Sequence, residues 1–293
     1  MRVAFTGARG LLGTTLVPLW RKAGAQVVAW DLGDFDVRDA DAVRRAIADA
    51  RPDVVIHAAA YTAVDRAESE PDLAMAVNRD GTANVCRACG ETGARVVYIS
   101  TDYVFDGRAS APIPPDAHRA PLGAYARAKA EGEAAVERCG GAWTIVRAAW
   151  VFGPGGPNFV DTARKAAVEG RVLRVVNDQI GAPTSTRLVS EGLWGLVRRE
   201  AAGHWHLTAS GAASWFEVAR TVYAAAGADP ALVSPCSTAE AARAAPRPAY
   251  SVLECGATRA ALGVSLPTWE KHVTAYVRGG RVPGLGLIEG EVA

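Results

Sequence analysis

Lysine is the scarcest of the charged residues here: of 32 basic side chains only Lys22, Lys129, Lys165 and Lys271 are lysines. Thirty-one acidic residues leave a formal charge of +1, with no block of like charge. That balance gives no electrostatic footprint for nucleic acid or an anionic membrane surface. Cysteine is sparse and odd in number, at Cys86, Cys89, Cys139, Cys236 and Cys255. Five such residues spread over 293 do not make a disulfide framework and suit free thiols in a reducing compartment. Cys86 and Cys89 form C-x-x-C, but no second pair completes a four-sulfur zinc site, and two small residues on a helix explain them. No apolar run reaches the ~18 residues that span a bilayer. The amino terminus turns glycine-rich after six residues, so it lacks a signal-peptide core. A cytoplasmic protein without nucleic-acid or membrane partners is expected.

What is present alternates between two periods. Short apolar runs, rich in β-branched residues, occur at Arg2–Thr6, Gln26–Trp30, Val54–Ala58, Arg95–Ser100, Thr144–Ala148 and His204–Thr208. Between them, Leu11–Ala23, Ala40–Ala50, Leu73–Gly90, Tyr125–Cys139 and Arg187–Arg199 have helical spacing. Strands alternating with helices indicate an α/β fold, a Rossmann-like doubly wound parallel sheet covered on both faces. From Gly153 the pattern loosens into Gly/Pro turns, with a helix at Trp215–Ala226 and a short helical carboxyl terminus. We therefore expect a dinucleotide-binding domain at 1–152, with 185–209 returning to its sheet. A smaller interleaved α/β substrate domain would comprise 153–184 and 210–293.

The first strand runs into Gly7-Ala-Arg-Gly10-Leu-Leu-Gly13 and then a helix. Gly7 permits the tight turn, Gly10 lets backbone N–H groups approach a pyrophosphate, and Gly13 lets the helix pack on the strand. Opening the chain between a strand and a helix, this glycine pattern points to dinucleotide binding. Asp31, at the end of the second strand, can accept from a ribose 2′-hydroxyl and repel a 2′-phosphate, which favours NADH. Arg9 inside the turn argues for NADPH, because a guanidinium can meet that phosphate. Both cofactors stay open.

Tyr125-Ala-Arg-Ala-Lys129 begins a helix, so its tyrosine and lysine share one face. Seven tyrosines and four lysines would produce this spacing by chance only about 0.1 times. A free phenol has a pKa near 10, too high for efficient proton exchange at neutral pH, and a cation one turn away lowers it. Tyr125 can then protonate a carbonyl oxygen as hydride reaches its carbon. Ser100-Thr101-Asp102 closes a strand at the sheet's carboxyl end, where a hydroxyl can bond the same oxygen. A Ser/His/Asp hydrolase finds no G-x-S-x-G in the chain. His204 and His206 face one way on a strand, which reads as packing, with no third metal ligand evident.

The G-x-x-G-x-x-G spacing resembles the short-chain dehydrogenase/reductase superfamily. Ser100–Gly107 (STDYVFDG) resembles the signature of the dTDP-4-dehydrorhamnose reductase family within its extended group. Agreement continues through Ala58–Asp65, Ala67–Pro71, Tyr125–Gly132, Arg147–Gly153 with Asn158-Phe159, and Asn177–Thr184. Gly203–Leu207, Gly211-x-x-Ser-Trp215 and Arg247-Pro-x-x-Ser-x-Leu253 extend it over nearly the whole chain, in order. The resemblance implies that Tyr125 is the proton donor, Thr101 tunes it, and Lys129 holds the phenol and the nicotinamide ribose. It further implies that Gly10, Leu11 and Leu12 line the pyrophosphate, Asp36-Val37 contact the adenine, and Ala60, Tyr61 and Thr62 lie beside the cofactor. Thr101, Asp102 and Trp150 would contact the nucleotide sugar.

There are departures. Leu11 stands where the family commonly has Gln, Tyr61 where some relatives carry His, and Thr15 where some have an acidic residue near a magnesium, so no metal is expected. The function implied is NAD(P)H-dependent reduction of the C4 ketone of dTDP-4-dehydro-6-deoxy-L-mannose to dTDP-L-rhamnose, the last step of dTDP-rhamnose biosynthesis. Another nucleotide-linked 4-keto sugar, or a catalytically silent dinucleotide-binding regulatory subunit, is the alternative. A homodimer is compatible with the sequence but not fixed by it.

Overall fold

A computed structural model describes residues 1–288. The last five residues assigned above to the substrate domain, 289–293, lie outside the described residues. The strands begin with β1 (Arg2–Thr6), β2 (Gln26–Trp30), β3 (Val54–His57), β4 (Arg95–Thr101) and β5 (Trp143–Ala148). Four short strands follow: β6 (Val151–Phe152), β7 (Leu173–Val176), β8 (Ile180–Gly181) and β9 (Thr184–Ser185). After them come β10 (Gly203–His206), β11 (Ala213–Ser214) and β12 (Val233–Cys236). Helices α1 (Gly13–Lys22), α2 (Ala40–Ala50), α3 (Val64–Ala67), α4 (Pro71–Met75), α5 (Thr82–Thr92) and α6 (Ala124–Glu137) lie in the first half. The second half holds α7 (Phe159–Val168), α8 (Thr186–Arg198), α9 (Trp215–Ala225), α10 (Thr238–Ala241), α11 (Gly256–Leu262) and α12 (Trp269–Val277).

Six strands form one parallel sheet in the order β10-β5-β4-β3-β1-β2. Successive side chains of a strand point to opposite faces, so each strand feeds two cores. Val3 and Phe5 of β1 join Leu16, Trp20, Val146, Leu188 and Leu193 on one face. Ala4, between them, joins Val43, Ile47, Val85, Val96 and Ile145 on the other. Trp20, fully enclosed, packs edge-on to both Phe5 and Trp194, which ties α1 and α8 to the sheet. Each such side chain contributes about 1.5–3 kcal/mol by leaving water. Among the described residues no helix is long and apolar enough to cross a membrane.

Two departures from the expected elements have physical causes. The helix expected over Leu73–Gly90 is broken into α4, a π-helical turn at Ala76–Gly81, and α5. The wider turn brings round Asn78, whose amide accepts from the Tyr61 N–H at 2.8 Å and donates to the Tyr61 carbonyl at 3.0 Å. Helix α7 was hidden by the Gly/Pro turn before it, although Asn158 caps it by accepting from the Asp161 N–H at 2.9 Å.

Candidate active site

From β1 the chain passes through α1 to β2 on one side, then through α2 to β3 on the other. The strand order therefore reverses at β1, and ligands of such sheets bind outside the carboxyl ends at that point. Gly7 sits there with φ +74°, and a Cβ on it would lie 2.7 Å from the Ala59 nitrogen of the segment after β3. A Cβ on Gly13 would lie 2.6 Å from the Gly7 carbonyl oxygen. Helix α1 starts there with neither a side-chain cap nor an acidic residue in its first turn. Its positive end suits a pyrophosphate along Gly10, Leu11 and Leu12. The loop at Gly155-Gly156 closes over this turn, with Gly155 against Thr14 and Gly156 against Leu11. Its glycine-rich composition was visible in sequence, but its partner was not.

Asp31 stands at the rim of this turn and accepts from the Arg9 N–H at 2.7 Å and the Leu32 N–H at 2.9 Å. Exposed Arg9 lies over the turn after β2, its guanidinium 3.5 Å from where a Cβ on Gly33 would be. Asp36 is gripped by Arg38 through both oxygens, which holds its carboxyl below the usual range. Any adenine contact would have to share that carboxylate. Val37 is buried, and its carbonyl accepts from Asn84 at 3.0 Å. Ala60, Tyr61 and exposed Thr62 follow β3, with the Tyr61 hydroxyl donating to Glu70 at 2.6 Å.

Thr101 ends β4, and Tyr125 and Lys129 lie one turn apart at the start of α6, which packs on β4. The Thr101 hydroxyl lies beside the Tyr125 phenol and donates to Asp102 at 3.0 Å. Contrary to expectation, burial pushes the Tyr125 phenol upward, and Asp102 raises it further, while Thr101 lowers it. Lys129 is not among the groups that lower it. Its ammonium is drawn inward, donating to the Ile99 carbonyl at 2.7 Å and lying 3.9 Å from the Tyr98 ring centre. Burial depresses Lys129 to about 7, with Glu133 opposing. Asp102 is also buried and pushed up to about 6 by desolvation, its Oδ2 without a hydrogen-bond partner.

Trp150 follows β5 in a left-handed conformation, φ +48°, that a bulky residue rarely adopts. Its indole stacks on Trp215 at 3.6 Å and 5°, lies against Gly181, and packs against the apolar cluster that holds Val104, Phe105, Ile113, Ala149 and Leu253. Sequence reasoning missed the brace across this region: Arg247 grips Asp65 through two bonds of 3.0 Å and reaches the Tyr103 phenol. No spacing signal connects residues so far apart.

Behind α6, His206 meets Arg147 at 3.2 Å and His204 meets Glu137 at 2.9 Å. The ligand atoms of Glu133, Glu137 and His204 lie within 4.8 Å of one another, a grouping that sequence did not reveal. Arg147 and Arg119 already neutralise those carboxylates.

The family model described as "RmlD substrate binding domain" matches residues 1–281. A dTDP-4-dehydrorhamnose reductase of Streptomyces griseus is 42% identical over 275 residues, 92% of this chain and 90% of the relative. A dTDP-4-keto-6-deoxy-D-glucose reductase of Streptomyces niveus is 36% identical over 270 residues, covering 92% and 94%. The crystal structure of dTDP-4-dehydrorhamnose reductase from Bacillus anthracis in complex with NADP superposes with a TM-score of 0.91 at 35% identity, covering 94% of this chain and 98% of that one. A site of this geometry, within a match spanning almost the whole sequence, places the chain in the RmlD family, that of the dTDP-4-dehydrorhamnose reductases.

Proposed function

We propose that the protein reduces the C4 ketone of dTDP-4-dehydro-6-deoxy-L-mannose to dTDP-L-rhamnose, the last step of dTDP-rhamnose biosynthesis, using NADPH or NADH. The observation that carries this reading is the meeting of Thr101, Tyr125 and Lys129 at the carboxyl end of β4, in the same sheet as the glycine turn. When bound, the reduced nicotinamide supplies the hydride. Gly7, Gly10, Leu11, Leu12 and Gly13 would hold its pyrophosphate, Asp31 and Arg9 the adenosine ribose and any 2′-phosphate, and Ala60, Tyr61 and Thr62 the opposite side.

Burial keeps the Tyr125 phenol protonated at neutral pH, so the proton is present, and its transfer depends on stabilising the phenolate as it forms. Tyr125 gives its Oη proton to the ketone oxygen. The resulting phenolate is stabilised by the Thr101 hydroxyl and by the Lys129 ammonium one helical turn on. Thr101 has a single proton to give and gives it to Asp102, so protonation of Asp102 would free it to turn toward the phenolate. Trp150, anchored by its stack on Trp215, provides an apolar wall for the sugar.

The reading includes a cofactor unit of 1–152 and 185–209 and a substrate unit of 153–184 and 210 onward. A cytoplasmic location, supported by five free cysteines, and a homodimeric assembly complete it. The Streptomyces niveus relative motivates a second reading, in which the ketone belongs to another dTDP-linked 6-deoxy sugar. Oxidation of NADPH and NADH is followed with enzymatically made dTDP-4-dehydrorhamnose, dTDP-4-keto-6-deoxy-D-glucose and the uridine- and cytidine-linked analogues. Turnover fastest with the first supports the main reading, and preference for the second transfers the assignment. A protein that binds cofactor yet reduces none of them is the silent subunit.

A further inference from the structure

The C-x-x-C of α5 has no part in the chemistry above, yet the fold brings a third sulfur to it. Cys139 lies two residues beyond the end of α6 and packs, half-buried, against Cys86 and Cys89. Its thiol donates to the Cys86 carbonyl at 3.4 Å, and the Cys86 thiol is within hydrogen-bonding reach of its sulfur. A surface groove of about 510 Å³ opens on the pair, lined by Cys86 and Cys139 together with Arg87 and Arg138. The same wall carries Glu91 as well as the two guanidiniums, so the groove is polar and open to small polar oxidants.

The three sulfurs differ in environment. Donation from the Cys86 thiol and the Gly141 N–H lowers Cys139, against burial and the bond its own thiol makes to the Cys86 carbonyl, whereas Cys86 is pushed upward. Cys89 is fully enclosed and raised to about 12 by burial. Exposure separates their roles: half-buried Cys139 meets the groove as the nucleophile, buried Cys86 lies beside it as the resolving thiol, and Cys89 is enclosed and absent from the groove wall.

We propose that Cys139 and Cys86 form a hydroperoxide-reactive site that closes to a reversible disulfide between α5 and the end of α6. The Cys139 thiolate attacks the peroxide, breaking its O–O bond; with hydrogen peroxide this yields a sulfenic acid and a hydroxide that takes up a proton as water. The Cys86 sulfur then attacks the Cys139 sulfur. An S–S bond forms, the S–O bond breaks, and the departing hydroxyl leaves as water with the Cys86 proton. The two sulfurs lose two electrons and one peroxide gains them.

The test exposes the reduced full-length chain to a small excess of hydrogen peroxide, then applies intact mass measurement, peptide mapping and thiol counting. The expected product has lost two hydrogens and two free thiols, contains a Cys86–Cys139 linked peptide, and is restored by dithiothreitol. Cys139→Ser should lose thiols at least tenfold more slowly, and Cys86→Ser should instead trap a dimedone adduct on Cys139. Both variants, reduced, should retain the wild-type thermal midpoint. A link between Cys86 and Cys89, first oxidation at Cys236 or Cys255, a wild-type rate in Cys139→Ser, or thiols that survive the peroxide would each overturn the proposal.

Discussion

Replacing Glu133 by alanine should strand a charge in the middle of the protein. Glu133 is fully enclosed and Arg147 is 2% exposed. The carboxylate accepts from Arg147 Nε and Nη2 at 2.8 and 2.7 Å, from Ser100 Oγ at 2.5 Å and from Arg119 Nη1 at 3.1 Å. Without it Arg147 keeps the Pro115 carbonyl, the Phe105 ring and His206, and burial depresses His206 to about 3, so none of them carries a negative charge. Removing one partner of a buried ion pair costs about 3–5 kcal/mol. With a urea slope near 3 kcal/mol/M, the midpoint should fall by about 1–1.7 M. Glu169→Ala, which breaks an exposed pair with Arg171, should shift stability by no more than about 1 kcal/mol. The double variant Glu133→Leu/Arg147→Met should recover most of the loss, because both desolvated charges are gone. Equilibrium urea unfolding at pH 7 reads all of these. Equal losses in Glu133→Ala and Glu169→Ala would refute the reasoning.

Three further outcomes follow from the site. Arg9→Ala should lower the ratio of kcat/KM for NADPH over NADH by about 10–100-fold, the worth of one charge-assisted hydrogen bond, as read by steady-state kinetics with each cofactor. Lys129, depressed to about 7 from 10.5, contributes stability that is present above pH 10.5 and lost as pH falls through about 7. Lys129→Met should therefore gain more stability over wild type at pH about 6 than at pH about 10, measured by thermal unfolding. Asp102, raised to about 6 from 3.8, contributes stability that is present below pH 3.8 and lost as pH rises through about 6. Asp102→Asn should flatten the stability profile in that window and remove the inflection near pH 6 from the kcat/KM profile.

Much of the sheet could be read directly because its signals are local. The apolar runs at β1 and β2 match the observed strands residue for residue, and β3, β4, β5 and β10 differ only at their ends. The glycine turn was equally legible, since Gly7 and Gly13 answer to close backbone approaches beside β1. The places of Thr101 at the end of β4 and of Tyr125 and Lys129 one turn apart on α6 were readable, but their electrostatics were not. Helical spacing puts Lys129 beside Tyr125, whereas the Ile99 carbonyl and the Tyr98 ring, which draw the ammonium inward, come from a neighbouring strand. The π-helical turn at Asn78 and the Arg247–Asp65 brace were likewise invisible, because each depends on a polar partner supplied by tertiary structure. The left-handed backbone of Trp150 carries no sequence mark, since a tryptophan gives none of the cues that glycine does.

The central claim is that Tyr125 is the proton source for the ketone. It is tested most directly by Tyr125→Phe, with kcat measured on dTDP-4-dehydrorhamnose and cofactor affinity measured separately by fluorescence. The account predicts that kcat falls by about 10²–10⁴-fold while cofactor binding stays within a few-fold of wild type. Turnover within about tenfold of wild type would contradict it.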